Sequence, residues 1–242
     1  GVASGDVKND SAIIWSRSNA DSIMNVEYVA LSDINQSSSN PVLQTEVNSL
    51  TNYTGHIKLT DLVPFTDYYY NVWFSDFNNP NIKSENMSGQ FKTAPNSDSD
   101  VKDIDFIISG DLAGSSNDRT LCRQVDIGYP IFSIMKSVNP DFFIFNGDQI
   151  YADFSCPEKI SHPSYPFWIN VPGNFSSVND LDWNDISKLY DEFLAHWEYN
   201  REDFHLQNLL NSTSMYSQGD DHEVTDNYGG QWKFLKPHYN SN

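Results

Sequence analysis

No stretch of this chain approaches the roughly 18 consecutive apolar residues of a membrane-spanning helix, so no span is expected. Basic residues are scarce: 14 Lys and Arg stand against 33 Asp and Glu, for a net charge of -19. Such a surface repels phosphate backbones, which argues against nucleic acid as a partner. It suits hard cations such as Ca²⁺, and it also serves plain solubility. Cysteine is limited to Cys122 and Cys156, a count that decides little by itself. There is no P-loop, no Rossmann glycine fingerprint and no serine-nucleophile motif. No internal repeat is visible. A signal peptide is absent, and the opening GVASGD reads like the start of a processed mature chain.

What is present is enough for a packed core. Of 242 residues, 38% are hydrophobic and 14% aromatic, which suits one large domain or two ordinary ones. Six sequons of the form N-x-[ST] begin at Asn9, Asn35, Asn52, Asn86, Asn174 and Asn211. They fit N-glycosylation, or they follow by chance from a chain rich in Asn and Ser. With the low Lys content and the even Cys count, they favour a secreted protein, extracellular or periplasmic, with a disulfide.

The pattern changes near residue 100. Before it, SAIIWSRS, IMNVEYVAL, HIKLT, DYYYNVWF and GQFKTA are short strand-like segments separated by polar turns. Met24, Val26, Tyr28 and Ala30 share one face of the second, and Tyr68, Tyr70, Val72 and Phe74 one face of the fourth. This spacing predicts a β-sandwich over 1–97. Leu62-x-Pro64-x-Thr66-x-Tyr68 looks like a fibronectin III tyrosine corner. Residues 98–103 lie in a polar stretch that reads as a linker. After it, IDFIIS (104–109) and DFFIFN (141–146) read as buried strands flanking a helix within 128–140, a βαβ unit. A longer amphipathic helix is expected over 182–200, capped by Asp182 or Asp180, and a shorter one over 201–210.

Three acidic motifs follow apolar runs: SGDLAG (109–114) after IDFIIS, GDQIYAD (147–153) after DFFIFN, and QGDDHEVTDNY (218–228) after SMYS. In a parallel α/β sheet, sites form beyond the carboxyl ends of the strands. Asp111 and Asp148 are therefore expected at one edge, joined by Asp221 and His222 if SMYS enters the same sheet. A Gly-Asp pair alone is as readily a turn; three at three strand ends point to a cation. Carboxylates, a phenol and an imidazole favour Fe³⁺, Mn²⁺, Zn²⁺ or Ca²⁺ over soft metals. A tyrosine ligand, with its usual pKa of about 10, hints at Fe³⁺. One Asp bridging two ions would make a binuclear site able to generate hydroxide at a phosphoryl group.

GVASGD with SAIIWSRS, LVPFTDYYY, PDFFIFNGDQIYAD and DDHEVTDNY together resemble the PhoD-type alkaline phosphatase/phosphodiesterase family, within the calcineurin-like metallophosphoesterases. The resemblance runs in order along nearly the whole chain. It implies a fibronectin III-like sandwich followed by part of an α/β/β/α metallophosphoesterase domain over 104–242. It also implies a secreted metal-dependent phosphoesterase acting on monoesters or diesters. Residue by residue, Asp111 would bind one metal, Asp148 would bridge both, Tyr151 would ligate Fe³⁺, and Asp221 would bind the second metal, Ca²⁺ or Zn²⁺/Mn²⁺. His222 would lie outside the coordination shell near the leaving group or the phosphate, oriented by Asp220 and Glu223.

Two departures stand out. Where many members carry a Cys ligand after the first strand, this chain has SGD. Cys122 is then paired with Cys156, a metal thiolate, or free. The family's further His ligands are also absent: QWKFLKPHYNSN offers only His238, so the remainder of the catalytic domain, or a second chain, is expected as a partner. The competing reading is a non-enzymatic extracellular protein that reuses the fold for structure or Ca²⁺-dependent assembly. Arg119 and Arg123 could bind a substrate phosphate bidentately or serve the surface. His196 reads as structural, His162 as a loop residue, and the aromatics of 165–168 as pocket or packing.

Overall fold

The computed structural model describes residues 1–35, 41–98, 103–112, 122–123, 127–161, 168–171 and 173–229. Arg119, His162, His238 and most of the expected linker lie outside them. Contacts divide the chain into two units. One comprises Gly1–Ile107, Ile131–Ile144 and His205–Tyr216; the other comprises Ile108–Pro130, Phe145–Phe204 and Ser217–Asn242.

The first seven strands are β1 (Val2–Gly5), β2 (Ala12–Arg17), β3 (Ser22–Ala30), β4 (Val42–Val47), β5 (Thr54–Leu59), β6 (Asp67–Ser75) and β7 (Met87–Lys92). Strands β4-β3-β6-β7 form an antiparallel sheet, and β5-β2-β1 run together in a second sheet. Their inward faces share one core, with Ile14, Met24, Val26, Val47, Leu59, Tyr70 and Val72 fully buried. This is a β-sandwich, and the strict alternation of Tyr68, Tyr70, Val72 and Phe74 explains why β6 sits inside it. The tyrosine corner is present: the Tyr68 hydroxyl accepts the Val63 backbone N–H at 2.8 Å. The sequence pattern does not reveal β1 or β4, one too short for a period-two signal and the other preceded by a long polar run.

The later elements are β8 (Phe106–Ser109), α1 (Ile131–Ser137), β9 (Phe142–Asn146), a hairpin of β10 (Lys159–Ser161) and β11 (Trp168–Asn170), α2 (Ile186–Arg201), α3 (Phe204–Leu210) and β12 (Ser214–Gln218). The six-stranded sheet has the order β5-β2-β1-β12-β9-β8, with β1 and β12 parallel at Gly5 and Met215. SMYS therefore does enter the sheet of the other two acidic motifs. Helix α2 starts later than expected. Its cap is Asp185, whose carboxylate accepts the Lys188 N–H at 3.2 Å, because Asp182 is engaged by the Asn184 N–H in the preceding turn.

Side chains alternate along β9. Phe143 and Phe145 are buried, Phe143 edge-on to Phe132 of α1 at 6.3 Å between ring centroids. Phe142 faces the other way and stacks on Phe106 at 5.1 Å, and there Phe106 and Ile108 remain 54% and 57% exposed. No helix among the described residues is long and apolar enough to cross a membrane.

Candidate metal centre

The acidic motifs are the segments that leave the carboxyl ends of β8, β9 and β12, and they lie against one another. Glycine makes this possible. A Cβ on Gly110 would stand 2.9 Å from the Asn146 carbonyl oxygen, and one on Gly147 would stand 2.4 Å from Cβ of Asp220. Gly147 also has φ 82°, where L side chains are strained. Asp111 and Asp148 share left-handed backbone, φ 54° and 51°, a conformation Asp tolerates better than most residues. The Asp111 N–H donates to the Gly147 carbonyl at 3.3 Å, and the Leu112 N–H to the Asp148 carbonyl at 2.9 Å.

At this junction, ligand atoms of Asp148, Asp221 and His222 lie within 4.8 Å of one another. Asp148 is buried and accepts the His222 backbone N–H at 3.3 Å. Burial lifts its carboxyl above the usual range, against the opposing pull of the Tyr151 hydrogen bond and the His222 charge. Burial also pushes the Tyr151 phenol up, reinforced by Asp148, Asp111 and Asp221 around it. The structure thus brings together Asp111, Asp148, Tyr151, Asp221 and His222. No Lys or Arg is among the groups that shift Asp148, Tyr151 or His222. Among the described residues the converging carboxylates meet no Lys or Arg in these interactions, which fits a cation, and the hard to borderline donor set fits the metals expected from sequence.

The support around His222 differs from expectation. Asp153, rather than Asp220 or Glu223, holds the imidazole, with Nδ1 to carboxylate at 2.9 Å. The second oxygen of Asp153 accepts the Asp226 N–H at 2.9 Å. Burial works against the charge on the ring, yet Asp153, with Asp148 and Asp221 behind it, raises the His222 pKa above its ordinary value. The sequence signal was the second Asp of GDQIYAD, two residues after Tyr151. Glu223 instead binds backbone. Its oxygens accept the N–H groups of Gln149 and Asp220, both at 2.6 Å, and clamp two acidic segments together. Asp220 is exposed, and its backbone N–H is the group that Glu223 holds.

Arg123 is buried, donates to the Tyr199 carbonyl at 3.0 Å and lies 4.8 Å over the Tyr199 ring. Packed this way, its guanidinium lies against Tyr199 rather than on an open surface. Cys122 and Cys156 form a disulfide, which excludes the thiolate and free-thiol alternatives. His196 is buried between carbonyls, Nδ1 at 2.8 Å from Glu192 O and Nε2 at 2.9 Å from Phe154 O, a structural position. None of the six sequon asparagines is buried.

The described residues thus combine a β-sandwich with a sheet whose strand ends carry an acidic candidate metal centre. The chain belongs to the PhoD-like phosphatase family: the model for the PhoD-like phosphatase N-terminal domain matches residues 1–95, and that for PhoD-like phosphatase matches residues 120–241. The solved structure of PhoD is similar at TM-score 0.67 and 19% identity, over 94% of this chain and 40% of that one. The chain thus spans 40% of the length of that protein. A segment of two fibronectin type-III domains from chicken tenascin matches at 24% identity and TM-score 0.31, over 38% of this chain and 47% of that one. No curated protein matches.

Proposed function

We propose that this chain carries the first half of the active centre of a secreted, glycosylated phosphoesterase that cleaves phosphate monoesters, diesters or both. The observation that supports this most is the meeting of Asp148, Asp221 and His222 within 4.8 Å, with Tyr151 and Asp111 beside them. In this reading a fibronectin III-like sandwich (1–97) and a linker (98–103) precede the first part of an α/β/β/α domain (104–242). Further polypeptide covers the apolar face that Phe106 and Ile108 leave open.

A bound metal pair, Fe³⁺ with Ca²⁺, Zn²⁺ or Mn²⁺, would supply a hydroxide nucleophile and polarise the phosphoryl oxygens. Asp148, Asp111 and Asp221 would hold the ions, with Asp148, at the junction of two motifs, shared between them. Tyr151 resists ionisation on its own, so its phenol becomes a ligand only where a strongly acidic cation replaces the proton. Asp153 fixes the imidazole through Nδ1, and Nε2, 3.9 Å from the Asp226 carboxylate, would turn to the substrate. His222 then delivers a proton from Nε2 to the departing alcohol oxygen or steadies the phosphate.

The test is turnover of phenyl phosphate and bis-phenyl phosphate by the natively purified protein and two variants. Asp148→Asn should abolish turnover, and His222→Ala should lower it by about 10²–10⁴, with circular dichroism unchanged. Metal uptake without hydrolysis of either ester would sink the enzymatic reading and favour a Ca²⁺-dependent structural role.

A further inference from the structure

Phe154 lies three residues after Tyr151 and is 42% exposed. Its ring centroid is 6.0 Å from that of Tyr151, nearly perpendicular at 74°, and 6.0 Å from that of His222 at 56°. Those two rings are themselves 4.4 Å apart. Three rings thus form a corner, with the imidazole and phenol on the acidic side and the phenyl open to solvent. The phenyl is held rather than trailing. The Phe154 N–H donates to the Tyr151 carbonyl at 3.1 Å, and its own carbonyl faces Nε2 of the buried His196 at 2.9 Å. The Cys156 bond to Cys122 pins the chain two residues later.

Core packing uses only part of this ring, since 42% of the residue's surface stays exposed. Its neighbour does give it a use. Where His222 serves the leaving oxygen, the group attached to that oxygen lies beside the imidazole. Aromatic pairs interact with centroids about 4.5–7 Å apart in offset or edge-to-face geometry, and Phe154 is within that reach of whatever stands next to His222.

We propose that Phe154 is the platform for the leaving group, and that this site selects phosphate esters whose alcohol carries an aromatic ring next to the ester oxygen. This rests on the phosphoesterase reading. The reaction itself is unchanged: hydroxide bonds to phosphorus, the phosphorus–oxygen bond to the aryl alcohol breaks, and the alcohol oxygen takes up a proton. Phe154 touches the leaving group and takes no part in the bond changes.

The experiment separates binding from turnover. Phenylphosphonate and methylphosphonate are titrated calorimetrically into the manganese-loaded protein, and kcat/KM is measured for phenyl phosphate and ethyl phosphate. Wild type should favour each aryl probe by about two- to tenfold beyond the intrinsic reactivity of the esters. Phe154→Ala should bring the ratio of the two phosphonate affinities close to one, and Phe154→Trp should raise it. Equal affinities in wild type, or a ratio that Phe154→Ala leaves in place, overturns the proposal. If the aryl preference tracks Phe154 but neither ester is hydrolysed, the platform stands and the hydrolase reading fails. If neither phosphonate binds, both fall.

Discussion

The two ends of the six-stranded sheet are covered differently. In β2 and β5 every second side chain enters a closed core, and the strands between turns read as clean alternation. In β8 and β9 both faces are apolar but unequally covered among the described residues: Phe143 and Phe145 are buried, while Phe106 and Ile108 look out at 54% and 57% exposure. A strand apolar on both faces is the signature of a layer covered on both sides. The sandwich closes on its own residues, whereas the strands that bear the acidic motifs keep an exposed apolar face among the described residues.

Substitutions on the two faces of this one ribbon probe that contrast. Phe143→Ala should cost about 3–5 kcal/mol of unfolding free energy. Phe106→Ser should change it by less than about 0.5 kcal/mol, while lowering the binding of a hydrophobic dye. Equal losses in denaturant titrations would show that the open face is already packed. On the finished side, Tyr68→Phe leaves the Val63 N–H without its acceptor and should cost about 1–3 kcal/mol, with the midpoint lowered and the denaturant slope unchanged.

A weaker effect is expected at His222. Its folded-state pKa is raised, so in the metal-free protein the fold favours the protonated ring. That contribution is complete below the ordinary imidazole value of about 6.5 and is lost as pH rises through the folded-state value. Melting temperatures of wild type and Asp153→Asn should therefore differ more at pH 5 than at pH 8. A gap that widens toward pH 8 would mean that Asp153 does not stabilise the charged imidazole.

Much of the fold is legible in the sequence. Period-two patterning marks β2, β3, β5, β6 and β7, and Leu-x-Pro-x-Thr-x-Tyr marks the corner. Three Gly-Asp motifs after apolar runs mark the strand ends that converge. Partners set by three-dimensional contact are not legible. Nothing in DDHE reveals that Glu223 turns toward the backbone of Gln149 while Asp153, some 70 residues earlier, takes His222. The sequence leaves Arg123 open between phosphate binding and a surface role because the ring of Tyr199, which it covers, is remote in sequence. The cap of α2 falls to Asp185 because Asp182 already serves the preceding turn.

Whether these strand ends form one bridged metal centre is decided by the metal content of the natively purified protein and of its Asp148→Asn variant, by elemental analysis alongside intact mass. A bridged centre predicts close to two ions per chain in the wild type, including iron or another transition metal, and loss of both when the bridging carboxylate is removed while the fold survives. A wild type without metal, or a variant that keeps its full complement, would contradict it.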